Sequence, residues 1–79
     1  MMNNLQETLA DIAKAIVDSP EEVKVTREED EQSVTLTLTV APDDMGMVIG
    51  RHGKIAKAIR TVVKAAAAGS GKKVNVDIR

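Results

Sequence analysis

The stretch Ser33–Val40 constrains the fold more than any other part of the chain. Val34, Leu36, Leu38 and Val40 alternate strictly with Ser33, Thr35, Thr37 and Thr39. Successive side chains of a strand point to opposite faces, so this segment has one aliphatic and one hydroxylated face. A strand of that kind belongs to a sheet covered on a single side. The cover has to come from a chain of 79 residues with no Phe, Trp, Tyr or Cys. A chain this short buries only about 60% of its unfolded surface, which leaves room for one modest aliphatic core. Residues 1–79 are therefore expected to form a single domain.

The rest of the pattern supplies the cover. Leu5, Leu9, Ile12 and Ile16 recur at helical spacing, with Asn4 placed as a cap, Glu7 three residues later, and Asp18-Ser19-Pro20 as the stop. Val23 and Val25 mark a short strand over 22–28, and the acidic run Glu28–Glu31 reads as a hairpin turn. After Ala41-Pro42 breaks the long strand, Asp43-Asp44 is read as a helix cap for a short helix over Met45–Ile49. A longer helix follows Gly53, with Ile55, Ile59, Val62, Val63 and Ala66 as its apolar stripe and Gly69-Ser70-Gly71 as its end. Val74, Val76 and Ile78 alternate in a last strand. The order is α-β-β-α-α-β. A short link makes the first two strands an antiparallel hairpin, and two intervening helices make the second and third parallel. The expected fold is α+β: a three-stranded mixed sheet with the second strand central and all helices on its aliphatic face.

Charge is divided along the chain. Residues 1–40 carry nine acids against three bases, and residues 41–79 carry eight bases against three acids, although the net charge is −1. Such bipolarity suits one face to a polyanion. The basic half contains Gly50-Arg51-His52-Gly53 at a helix–helix junction. Glycines there tolerate positive φ and expose main chain with no Cβ, so a sugar-phosphate backbone can come close. The loop leads into a helix start, whose N–H groups favour phosphate, and Arg51 and Lys54 add cations. Lys57, Arg60 and Lys64 fall on one stripe of the following helix, with Ala56 at its border as a candidate apolar floor.

Val48-Ile49-Gly50-Arg51-His52-Gly53-Lys54-Ile55-Ala56-Lys57-Ala58-Ile59 resembles the signature of KH domains, whose Gly-x-x-Gly loop clamps about four unpaired nucleotides. The element order is similar to the type II variant, and the likeness spans essentially the whole chain. Gly53–Thr61 is similar to the corresponding stretch of the bacterial KhpA family of small RNA-binding proteins. The resemblance implies binding of single-stranded RNA, as an RNA chaperone or post-transcriptional regulator. It further implies Gly50 and Gly53 shaping the clamp, Arg51 and His52 facing the backbone, Lys54, Lys57 and Arg60 on the phosphate side, and Ile49 and Ala56 as groove floor. Val76 is a candidate opposite wall and Met47 a candidate base contact. Many KH domains carry a larger aliphatic residue at the position of Ala56, so base preference does not carry over. The family also implies pairing, as a homodimer or with a larger KH-containing protein.

Other functions fit less well. Without aromatic rings the chain has no stacking platform of the kind an RRM uses. With one His, no Cys and no nucleophile–base pair, an enzyme is not expected, nor a metal or other cofactor. Gly50–Gly53 is too short for a P-loop, and Lys54 is followed by Ile55. No apolar run approaches the about 20 residues of a membrane span, and Met1-Met2-Asn3-Asn4 lacks a signal-peptide n-region, so a cytoplasmic location is expected. The competing reading is a protein-interaction adaptor that uses the acidic half and the Thr-rich sheet face.

Overall fold

A computed structural model describes residues 5–69 and 71–79. The elements are α1 (Leu5–Ile16), β1 (Lys24–Glu29), β2 (Ser33–Thr39), α2 (Met45–Ile49), α3 (Lys54–Ala66) and β3 (Lys73–Ile78). Three single turns of 3-10 helix join them, at Pro20–Glu22, Pro42–Asp44 and Arg51–Gly53. The sheet order is β1-β2-β3, antiparallel across the first pair and parallel across the second. The α-β-β-α-α-β order, mixed sheet and central β2 agree with the expectation.

The aliphatic face of β2 is the floor of the core. Val34, Leu36, Leu38 and Val40 are buried, together with Leu9, Ala13 and Val17 from the first helical segment, Val48 of α2, Ile59 and Val63 of α3, and Val74 and Val76 of β3. Burying each of the larger aliphatic side chains contributes roughly 1.5–3 kcal/mol, which is how a ring-free core holds a chain of this size. Thr39 on the other face is exposed, and Thr35 and Thr37 are half-exposed.

Four expectations are corrected. β1 begins and ends later than 22–28, and the hairpin loop shrinks to Asp30, Glu31 and Gln32. Asp30 makes this tight loop possible: its Oδ1 accepts from the Gln32 N–H at 2.8 Å and the Ser33 N–H at 2.7 Å, replacing strand partners by a local carboxylate. Asp44 flanks α2, but its carboxylate does not cap the helix. It is 3% exposed and its Oδ2 accepts from the Ser19 N–H at 3.0 Å, tying the end of the α1 segment to the start of α2. Finally, the buried face of α3 is Ala56, Ile59 and Val63, continued by Ala67 beyond its end. Ile55, Val62 and Ala66 lie on its exposed flank. The stripe read from sequence was centred about a sixth of a turn away, because small Ala56 and Ala67 carry little weight in a hydropathy pattern yet suit a helix lying close to a sheet. The proposed Asn4 cap and the middle of Gly69-Ser70-Gly71 lie outside the described residues.

Candidate nucleic-acid interface

The loop at 50–53 is built by its glycines. Gly50 ends α2 at φ 74°, ψ 174°, a region that essentially only glycine occupies. A Cβ there would sit 2.6 Å from Cγ1 of Ile55, so Ile55 lies directly over the first glycine. His52 (φ 59°, ψ 24°) and Gly53 (φ 73°, ψ 15°) are then the central pair of a type I′ turn, closed by the Lys54 N–H donating to the Arg51 carbonyl. Positive φ at His52 is tolerable because His is among the residue types enriched in the left-handed region. Around Gly53 no atom lies within 4 Å of where a Cβ would stand. The first glycine is therefore demanded by packing inside the protein, and the second leaves an open approach from outside.

Hydrogen bonding narrows the anion site that the sequence suggested. The Gly50 amide donates to the Gly46 carbonyl at 2.9 Å and the Gly53 amide to the Gly50 carbonyl at 3.2 Å. With the Lys54 amide also engaged, the helix start offers less than an open N-terminus would. Among the described residues, only the Arg51 and His52 amides of this loop lack a hydrogen-bond partner. Both side chains are exposed, so two N–H groups and two polar side chains are presented at one turn.

The other predicted residues distribute around it. Lys54 and Lys57 are exposed on α3. Arg60 is half-buried, and its Nε donates to the Val76 carbonyl at 3.0 Å. The amides of Lys73 and Arg79 donate to the β2 side, at 3.0 and 2.8 Å, so the alternating parallel-strand pattern turns the backbone groups of Val76 to the open edge of β3. Arg60 thus bridges α3 to that edge with one of its five N–H donors. Sequence reasoning had Val76 as a wall; its backbone, not its buried side chain, makes the link to the cationic helix. Ile49 and Met47 are exposed at 38% and 37%, on the segment leading into the loop. Ala56 is buried and offers a base little surface. The apolar surface the sequence did not anticipate belongs to Ile55 and Val62, about two turns apart on α3 and 38% and 50% exposed.

Residues 6–78 match the family described as KhpA/KhpB, KH domain. The chain is 55% identical to the RNA-binding protein KhpA of Clostridium acetobutylicum over 74 residues, which is 94% of this chain and 99% of that protein. The chain belongs to the KhpA/KhpB family of KH domains. Other members show the same reach: KhpA of Caldanaerobacter subterraneus is 53% identical over 72 residues (91% of this chain, 96% of that one), and KhpA of Listeria monocytogenes is 46% identical over 74 (94% and 97%). The α-β-β-α-α-β fold with its mixed sheet is that of a type II KH domain. The family is non-enzymatic. Among the described residues no group of His, Asp or Glu is placed to hold a metal, and no helix is long and apolar enough to cross a membrane.

Proposed function

We propose that this chain binds single-stranded RNA, taking the sugar-phosphate backbone at the Arg51–His52 turn and along the basic side of α3. It would serve as an RNA chaperone or post-transcriptional regulator. The carrying observation is the loop itself: unengaged amides at Arg51 and His52, beside a Gly53 with open space in front of it. Main-chain donors with cationic side chains at Arg51, Lys54 and Lys57 read phosphate and not sequence. Family membership, in which relatives are named RNA-binding proteins, supports the same reading. With no aromatic ring in the chain, base contact rests on Ile49, Met47 and backbone groups, so affinity is modest and strongly salt-dependent.

The test is Arg51→Asp/His52→Asp, which sets two anions against the phosphates and leaves both glycines in place. Titrated with a single-stranded oligoribonucleotide, the folded double variant is expected to lose binding. Wild-type affinity in that variant overturns the reading.

A second reading concerns assembly, and the exposed flank of α3 favours it. Ile55 and Val62 stand out with Ala58 and Ala66 between and beyond them, a helix face whose small residues admit close approach of another helix. This face is the place for self-pairing or pairing with a larger KH-containing protein. It is compatible with RNA binding, because it lies on a different side of α3 from Lys57 and Lys64.

A further inference from the structure

The sheet has two edges, β1 and β3, and an edge strand presents backbone groups with which a further strand can pair. On β1, the Asp30 N–H donates to the Ser33 carbonyl at 2.9 Å, and the register continues from there. Lys24, Thr26 and Glu28 therefore bond to β2, while the N–H and C=O groups of Val25, Arg27 and Glu29 turn outward. On β3 the outward groups are those of Val74, Val76 and Ile78. At each edge a helix side chain takes one outward carbonyl. Gln6 Nε2 donates to the Val25 carbonyl at 2.6 Å, and Arg60 Nε to the Val76 carbonyl at 3.0 Å.

The two edges differ in what else defends them. Val25, Arg27 and Glu29 lie opposite Leu38, Leu36 and Val34, hence on the core side of the sheet. Glu29 pairs there with Arg27 at 2.7 Å and with Lys72. A strand added at β1 would have to bury its own core-side residues against those charges, which is costly. The core-side residues of β3 are Val74, Val76 and Ile78, all aliphatic. Val74 and Val76 are 5% and 4% exposed although they lie on an edge strand, because α3 packs over them and Arg60 reaches down to the edge. Without Arg60, β3 is an uncharged aliphatic edge of the kind that templates pairing.

A second copy of the chain fits that edge. Two β3 strands run antiparallel about Val76 set Val74 against Ile78 and Val76 against itself, and every outward N–H then meets a carbonyl. Arg60 opposes this pairing twice. It holds the Val76 carbonyl that the other copy's Val76 N–H needs, and it brings like charge to the axis.

We propose that Arg60 is an edge latch: its bond to the Val76 carbonyl keeps β3 from pairing with the β3 of a second copy. The β1 edge does not depend on one bond in this way, because its core-side charges bar a strand even without Gln6. The inference stands apart from the RNA-binding reading.

The experiment follows self-association by light scattering across a concentration series, together with amide exchange. All proteins carry Val62→Glu, which removes the apolar flank of α3 as a contact. Arg60→Met keeps an unbranched stem over the sheet and drops the donor and the charge. Its apparent mass is expected to rise towards about twice that of the Val62→Glu parent. The amides of Val74, Val76 and Ile78 are expected to exchange about tenfold more slowly as it associates. Arg60→Lys retains a donor and a charge and is expected to behave as the parent. Gln6→Leu, which leaves Arg27, Glu29 and Lys72 in place, is expected to do the same. Should Arg60→Met fail to fold, Arg60→Gln is put to the same test with the same expected gain. A folded latch variant with the parent's mass overturns the proposal. Association that leaves those three amides unprotected does so too, as does equal association of Gln6→Leu.

Discussion

Two glycines three positions apart do different work. Gly50 adopts a backbone conformation barred to other residues and has Ile55 packed where a side chain would go. Gly50→Ala adds a clash to a strained φ, and is expected to lower stability by about 1–3 kcal/mol, read as a drop in the midpoint of denaturant unfolding. Gly53 carries only the cost of left-handed φ, because nothing surrounds it. Gly53→Ala is expected to cost about 1–2 kcal/mol of stability, and in addition to weaken RNA binding in protein that remains folded. If Gly50→Ala unfolds no more easily than Gly53→Ala, this division of roles is wrong. Arg60 likewise has a task the sequence did not disclose, since its Nε is committed to the open edge of β3.

At the scale of elements, two carboxylates act as joints. Asp44 links the Ser19 amide to the approach of α2 from a buried position. Asp44→Ala strands that amide and is expected to destabilise the fold by about 1–3 kcal/mol, measured by thermal unfolding. The hairpin β1–β2 depends on Glu29 and Asp30. The Lys72 ammonium, then the Arg27 guanidinium, hold the Glu29 carboxyl below its usual range, and the Gln32 and Ser33 amides do the same for Asp30. Both folded values lie below the unfolded ones, so their contribution is complete above the ordinary carboxylate range. It is lost as pH falls through the lowered values. Amide exchange at Gln32 and Ser33, corrected for its intrinsic pH dependence, is therefore expected to gain protection from strong acid up to about pH 5 and to stay level above it. Unchanged protection across that interval would remove these acids from the account.

At the scale of the molecule, the two sides of α3 differ in chemistry. One side carries Lys57 and Lys64, and the other exposes Ile55 and Val62. A charge placed on the apolar side need not disturb the basic one. Val62→Glu is expected to leave single-strand binding by the isolated domain nearly unchanged, while abolishing self-association detected by light scattering across a concentration series. An association state unaffected by Val62→Glu places any dimer contact elsewhere. The acidic half of the sequence ends up mostly on α1 and the hairpin, so the overall charge near zero hides a polar distribution.

Much of this was legible along the chain because it depends on local periodicity. The alternation of Val34 to Val40 specified a one-sided sheet, connection lengths gave its strand order, and the glycine loop with its cations marked the candidate site. Periodicity cannot say how close one element lies to another, and that is where the structure decided. The close seat of α3 buried Ala56 and Ala67 in place of Ile55 and Val62. The approach of the Ser19 amide drew Asp44 away from a capping role, and the open edge of β3 claimed Arg60. Which donors remain for a ligand follows only after the protein's own groups have been satisfied, and that accounting exists in three dimensions alone.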